Sequence, residues 1–263
     1  MNSKKKLSSY LATYTAKERR YLLAEMNLTS EEEVSLKHLH KLVSSKRADP
    51  RARELACSLI LHIGNKRSTG ILLEAFDDED HSVSHMATLA LIAITSDSAL
   101  EFLIGVLRSS LSETKRTNAA YILGIYYEDE RATDALIDAL NDKKQAIETR
   151  AQAAESLGAL SATRATETLV ANLQESSLEI RYRCIAALGE VGMDAAVIPV
   201  LETFLSDESI FQGSAIREKA CDAIRIIKAR VLALEQYAGD KSTADIWTIH
   251  EETMALREHI ECD

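Results

Sequence analysis

Arg150-Ala-Gln-Ala-Ala-Glu-Ser-Leu-Gly158 returns 31 residues later as Arg181-Tyr-Arg-Cys-Ile-Ala-Ala-Leu-Gly189. Both spell one helical phrase: Arg, two residues, a small or apolar pair, two residues, Leu, Gly. The phrase recurs as Arg116-Ala119-Ala120-Leu123-Gly124. Looser copies are Arg53-Ala56-Cys57-Ile60, Ser84-Ala87-Thr88-Leu91 and Arg217-Ala220-Cys221-Ile224. The anchors 53, 84, 116, 150, 181 and 217 lie 31, 32, 34, 31 and 36 residues apart. A period in this range marks stacked helical hairpins, in which each unit buries its apolar face only against its neighbours.

Each repeat reads as two helices. In the first, small residues three and four places after the anchor let a neighbouring helix approach, and Leu or Ile at the seventh fills the seam. The Gly that follows in three repeats falls where the helix is expected to end. The second helix carries apolar residues at +15, +19 and +23: Ala165, Leu169 and Leu173, then Ala196, Val200 and Phe204. Earlier repeats give Leu72 with Phe76 and Leu103 with Leu107, and, one residue later in frame, Ala132, Leu136 and Leu140. This is helical periodicity rather than alternation.

The ends differ. Thr15 with Glu18 and Ser30 with Glu33 fit the capping-box pattern, predicting helices over 16–26 and 31–46. Residues 1–9 read as disordered. No turn signal interrupts Ile216 to Ala238, so the last repeat is expected as one long helix, followed by a terminal helix with Ile246, Trp247, Ile249 and Leu256. The expected fold is all-α, a right-handed α-solenoid of six to seven hairpins. Its parts are an N-terminal tail and capping hairpin over 1–49, five repeats over 50–215 and a long-helix cap over 216–263.

Composition narrows the function. The net charge is −10, from 31 basic and 41 acidic residues, and aromatic residues make up 5%. That disfavours nucleic acid and anionic membranes, and makes a basic protein the electrostatic complement. Met1 to Leu7 is polar and basic with no apolar stretch behind it, so a cytoplasmic location is expected. Cys57, Cys184 and Cys221 occupy the small core positions of the phrase, and Cys262 reads as a free thiol.

The phrase and its period resemble HEAT-like repeats, especially the short kind found in phycobilin lyase subunits, over about residues 50–228. The resemblance implies a binding scaffold before an enzyme. It also implies a structural role for Arg53, Arg116, Arg150, Arg181 and Arg217, pairing with acidic groups at a neighbouring helix end; Ser84 departs from that pattern.

Enzymes of this architecture require chemistry that can be sought. A di-iron hydroxylase of the deoxyhypusine type needs His-Glu pairs in several repeats. The positions after the anchors hold Glu54, His85, Thr117, Ala151, Tyr182 and Glu218, and the lone pair, His250-Glu251, lies in the terminal helix. HEAT-like DNA glycosylases need a basic, aromatic groove. A bilin lyase or accessory lyase subunit acting on a phycobiliprotein is the alternative reading, with Tyr121, Tyr126, Tyr127 and Arg131 as candidate tetrapyrrole contacts. His81 and His85 are spaced for one helical face beside Asp77, Asp78, Glu79 and Asp80, but His81 reads as part of the turn and no further ligand is indicated. His38 and His40 point apart. No catalytic, metal or cofactor residue is assigned.

The binding surface is expected on the second helices. Positions between the apolar ones place Glu74, Glu101, Asp134, Asp138, Glu167 and Glu202 outward, predicting an acidic stripe on the inner curve that receives a basic protein or peptide. Such a partner suits an inhibitor of a basic toxin or effector, or an assembly factor. The long last spacing holds Ile210 and Phe211 in a polar loop, either a contact patch or a tucked plug. Tyr126 and Tyr127, in the turn of the third repeat, are candidate aromatic anchors.

Overall fold

Thr15 shows how closely the local code is followed. In the computed structural model its hydroxyl accepts the Glu18 N–H and the Glu18 carboxylate accepts the Thr15 N–H, so α1 (Ala16–Met26) begins on a closed capping box. Asn27 ends α1 in the left-handed region at φ 54°. Thr15→Ala is expected to cost about 1 kcal/mol, read as a shift of the thermal midpoint; an unchanged midpoint would refute it. The structure describes residues 7, 9–63, 66–94, 97–125, 129–192, 195–238 and 253–257.

The second expected box does not form. Glu33 instead accepts from the Thr29 N–H at 3.2 Å and the Thr29 hydroxyl at 2.7 Å, which winds Glu31–Glu33 into a 3-10 turn. The predicted helix over 31–46 therefore starts late, as α2 (Leu36–Ser44), behind Ser35. The tail also departs from expectation. Residues 9–11 are helical, Leu7 and Leu11 are buried, and the Tyr10 ring stacks on His62 at 4.4 Å. The rest of the segment read as disordered lies outside the described residues.

Two compact units divide the chain, residues 1–122 and 123–263. In the first follow α3 (Pro50–Ile63), α4 (Thr69–Phe76), α5 (His81–Ala93), α6 (Asp97–Ser109) and all but the last residue of α7 (Glu113–Leu123). In the second lie α8 (Glu130–Asn141), α9 (Ile147–Ala159), α10 (Thr166–Asn172), α11 (Leu178–Val191) and α12 (Ile198–Glu202). A hairpin of β1 (Ile210–Phe211) and β2 (Ser214–Ala215) then leads into α13 (Ile216–Ala238), the uninterrupted helix expected there. Within each unit the first helices of successive repeats pack side by side, α3 on α5, then α9 on α11 and α11 on α13, and second helices pack on the first helix that follows, α4 on α5, α8 on α9, α10 on α11 and α12 on α13. The all-α HEAT-like expectation holds, with the small hairpin as the one β element among the described residues.

The phrase residues form the seams. Ala56, Cys57, Ala153, Ala154, Cys184 and Ile185 are fully buried, as are Leu157 and Leu188. Of the three glycines at +8, Gly124 directly follows the last residue of α7, as expected, while Gly158 and Gly189 fall one and two residues before the ends of α9 and α11. Gly158 and Gly189 lie inside α9 and α11, where a Cβ would stand 2.9 Å from the Ala187 Cα and 3.0 Å from the Ala223 Cα. Their lack of a side chain lets adjacent first helices touch backbone to backbone.

The anchor arginines tie turns together. Arg150 donates to the Leu140 carbonyl at 2.8 Å, to Asn172 at 3.0 Å and to Glu175 at 2.9 Å. Arg116 donates to the Ser110 carbonyl, Arg181 to the Glu175 carbonyl, and Arg217 to the Glu208 carboxylate. Arg53 pairs with Asp78 in the core. Ser84, lacking the guanidinium, reaches the same kind of target by donating to the Phe76 carbonyl at 2.6 Å.

On the second helices, Ala132, Leu136, Leu140, Ala165, Leu169 and Leu173 are buried as expected. The Arg181 repeat slips by one: Val197 and Leu201 are buried, while Ala196 is exposed and Val200 half-exposed. The cause is α11, which continues to Val191, one residue further past its anchor than α9 does. Arg230 on α13 caps this longer end, donating to the carbonyls of Glu190 at 2.9 Å and Gly192 at 2.8 Å. Cys57 and Cys184 are free and buried; Cys221 is half-buried and disulfide-bonded, not the free core thiol expected. Of the expected terminal helix, Leu256 is half-buried, and Trp247 and Cys262 lie outside the described residues.

Candidate functional site

The second helices present their carboxylates to solvent because every apolar neighbour turns into the seam. Glu74 on α4, Glu101 on α6, Asp134 and Asp138 on α8, Glu167 on α10 and Glu202 at the end of α12 are all exposed. The frame slip moves Glu202: with Leu201 in the place of Leu169, it stands at the register position of Val170 rather than that of Ala171.

Several of these acids already meet cations. Lys115 Nζ lies 2.9 Å from Glu74, and Arg164 lies 2.7 Å from Asp134 and 3.5 Å from Glu130. Each cation comes from a later helix or turn of the same unit, so these pairs also brace the stack. Exposed pairs of this kind are worth about 0–1 kcal/mol, so an incoming Lys or Arg can compete for the carboxylate at little cost. No cation is found beside Glu167 or Glu202 among the described residues.

Apolar residues interrupt the acids. Phe102, next to Glu101, is 43% exposed, with its ring edge 3.4 Å from where a Gly70 Cβ would stand. Tyr121 is half-exposed against Phe76 at 5.7 Å between ring centroids. Neither Phe102 nor the exposed Ile147 stood out in the sequence, because a single outward apolar residue leaves the helical period intact. Tyr126 and Tyr127 lie outside the described residues. Ile210 and Phe211 divide the two roles expected of them: Ile210 is 67% exposed, while Phe211 packs on Tyr182 with ring centroids 5.2 Å apart.

Burial pushes the Cys57 and Cys184 thiols up to about 12, leaving both protonated and inert at neutral pH. Tyr21, also desolvated and bonded to Asp49, is pushed up to about 12. A pocket of about 340 Å³ beside α1 and α2 is lined by Glu25, Asn27, His38, Lys41 and Ser45 with apolar neighbours. Its His38 meets the Ser35 hydroxyl at 3.1 Å, and His40 turns away to Ser68 at 2.8 Å. His81 is the first residue of α5 rather than part of the turn, with its ring centroid 6.4 Å from that of His85. Asp78 is held by Arg53 and Lys46, and Asp80 accepts the Ser82 and Val83 N–H groups. No group of three or more His, Cys, Asp or Glu fit to hold a metal occurs among the described residues. Arg131, the cation sought for a tetrapyrrole, forms an ion pair with Asp129 at 2.8 Å. No helix among the described residues is long and apolar enough to cross a membrane.

A family model of HEAT repeats matches residues 36–124, 105–180 and 133–224. These matches span well over half of the chain, which belongs to the HEAT-repeat family. No curated protein matches it. Solved structures with a similar fold include the complex of CpcE and CpcF of phycocyanin lyase from Nostoc sp. PCC7120, at 17% identity, TM-score 0.46, and 86% of this chain against 95% of that one. An engineered protein matches at 20% identity, TM-score 0.43, covering 73% of this chain and 96% of that one. Human deoxyhypusine hydroxylase in complex with glycerol matches at 17% identity, TM-score 0.33, with 98% of both chains covered.

Proposed function

We propose that this HEAT-repeat chain is a non-catalytic protein-binding scaffold whose partner is basic. The observation that carries the reading is the exposure of Glu74, Glu101, Asp134, Asp138, Glu167 and Glu202 on the second helices, with Glu167 and Glu202 free of any cation among the described residues. The −10 charge of the chain adds a long-range field that draws a cationic protein and repels nucleic acid and anionic membranes. A partner that presents Lys and Arg to these helices replaces the weak pairs at Glu74 and Asp134 with its own. Inhibition of a basic effector, or escort of a basic subunit during assembly, are the roles this chemistry serves.

The test is charge reversal. Glu101→Lys, Asp134→Lys and Glu167→Lys together are expected to lower affinity for the basic partner at least tenfold and to leave the helical circular-dichroism signal unchanged. The wild-type complex, recovered from native lysate at about 50 mM salt, should dissociate at about 500 mM as screening shortens the reach of the carboxylates. Undiminished binding by the folded triple variant would refute the reading.

A further inference from the structure

We infer that the second unit carries a separate docking edge, formed where its repeats turn from second helix to first, and that this edge takes an amphipathic basic helix. The inference rests on the reading of the chain as a binder of a basic protein, and gives that partner a specific shape.

Three successive turns each bring an apolar residue and a glutamate to the surface. Ile147 and Glu148 open α9, and both are exposed, Ile147 at 48%. Leu178 and Glu179 open α11 and are half-exposed. Before α13, the hairpin presents Ile210 beside the exposed Glu208. The contacts of Gly158 with Ala187 and of Gly189 with Ala223 set α9, α11 and α13 side by side, and the Phe211–Tyr182 stack sets the hairpin beside the start of α11. The three turns therefore share one edge of the unit.

The hairpin fixes the place of Ile210, which is 67% exposed. Ile210 pairs with Ala215 between the Phe211–Ser214 pair at the turn and a rung in which the Ile216 N–H donates to the Ser209 carbonyl at 2.9 Å, and beyond it the Arg217 N–H donates to the Asp207 carbonyl at 2.9 Å. Gln212 at φ 50° and Gly213 at φ 82° make the two-residue turn. Phe211 is pinned on Tyr182, whose ring lies 5.3 Å from Lys219 Nζ. An apolar side chain held on a rigid element loses little freedom on binding.

Repeat spacing then selects the partner. Packed helices lie about 8–10 Å apart, and seven residues of α-helix advance about 10.5 Å. A helix lying along the edge thus brings an apolar residue to each turn if it carries one every seventh position. Glu148 and Glu179 ask for Lys or Arg flanking that stripe, while Glu208, already paired with Arg217, leaves the third position to the apolar contact of Ile210.

The experiment measures binding of the full chain to a synthetic helix of about eighteen residues with leucine at every seventh position among lysines, against a control of equal composition with the leucines scattered. The wild type is expected to prefer the first at least tenfold. I147S together with I210S should abolish the preference, whereas the triple reversal at Glu101, Asp134 and Glu167 should lower binding of both peptides and keep their ratio. The conservative pair I147V and I210V should retain the preference, which separates a lost contact from a lost fold. Equal binding of the two peptides by the wild type, or a preference that survives I147S and I210S, overturns the docking edge alone. Binding of neither peptide overturns the basic-partner reading with it.

Discussion

Asp78→Ala is expected to destabilise the first unit by about 3–5 kcal/mol. The Asp78 side chain is 1% exposed and its partner on Arg53 is 6% exposed. Removing the carboxylate strands a buried guanidinium, whose Nε already lacks an acceptor. Lys46, the other cation on Asp78, is 66% exposed and returns to water; Arg53 has no such route. Replacing both partners, Arg53→Met with Asp78→Leu, should cost less than Asp78→Ala alone, because no orphaned charge remains. Acid adds a second signature. Burial by itself would push the Asp78 carboxyl up, but Lys46, the Asp80 N–H and Arg53 outweigh it and hold the carboxyl below the ordinary aspartate range. A depressed folded value means the unfolded chain binds the proton first as pH falls. The stabilisation is therefore complete above about pH 4 and is lost as pH drops through the folded value. Urea unfolding at neutral pH and near pH 3 should show the wild type losing more of this margin than Asp78→Ala. A cost no larger than that of the exposed control Asp77→Ala would refute the argument.

The same pair shows where sequence reading reaches its limit. Arg53 was legible as a structural anchor because it recurs at a fixed period. Asp78 was not legible as its partner, since it sits in the run Asp77-Asp78-Glu79-Asp80, where four acids look alike and only one turns inward. Capping was legible at Thr15 but not at Ser30, because Thr29 competes for the same Glu33 carboxylate and sequence does not rank two hydroxyls one residue apart. The slip in the Arg181 repeat comes from one added residue at the end of α11, invisible to a pattern that counts forward from the anchor.

For the candidate surface, the sequence supplied which carboxylates face outward, since the helical period fixes direction. Pairing escaped it. Lys115 reaches Glu74 across 41 residues of chain and Arg164 reaches Asp134 across 30, distances over which only the stacking of repeats brings charges together. Ile147 read as an ordinary member of an apolar composition, while Ile210 stood out only as half of an apolar pair in a polar loop; the exposure of each depends on lying at a turn the stack leaves uncovered.

Gly158→Val is expected to cost about 3 kcal/mol or more, and the sign of the smaller change, Gly158→Ala, is the sharper test. Alanine favours a helix over glycine by about 1 kcal/mol, so in an open helix the substitution stabilises. At Gly158 the new Cβ would meet the Ala187 Cα at 2.9 Å and its Cβ at 3.1 Å. The Cα belongs to the backbone of α11 and does not swing aside like a side-chain end. Overpacking of this kind costs about 1–3 kcal/mol, which offsets or exceeds the propensity gain. Valine adds two methyl groups to the same contact. Gly105 is the internal comparison: it too lies within a helix, α6, but a Cβ there meets nothing within 4 Å. Gly105→Ala should therefore raise the unfolding midpoint while Gly158→Ala lowers it or leaves it unchanged. Ala187→Gly should restore only part of the loss in Gly158→Val, since it clears the 3.1 Å contact and leaves the one at 2.9 Å. Stabilisation at both glycines would mean that α9 and α11 are free to separate. The phrase would then record helix propensity alone, rather than the close backbone approach that lets one repeat rest on the next.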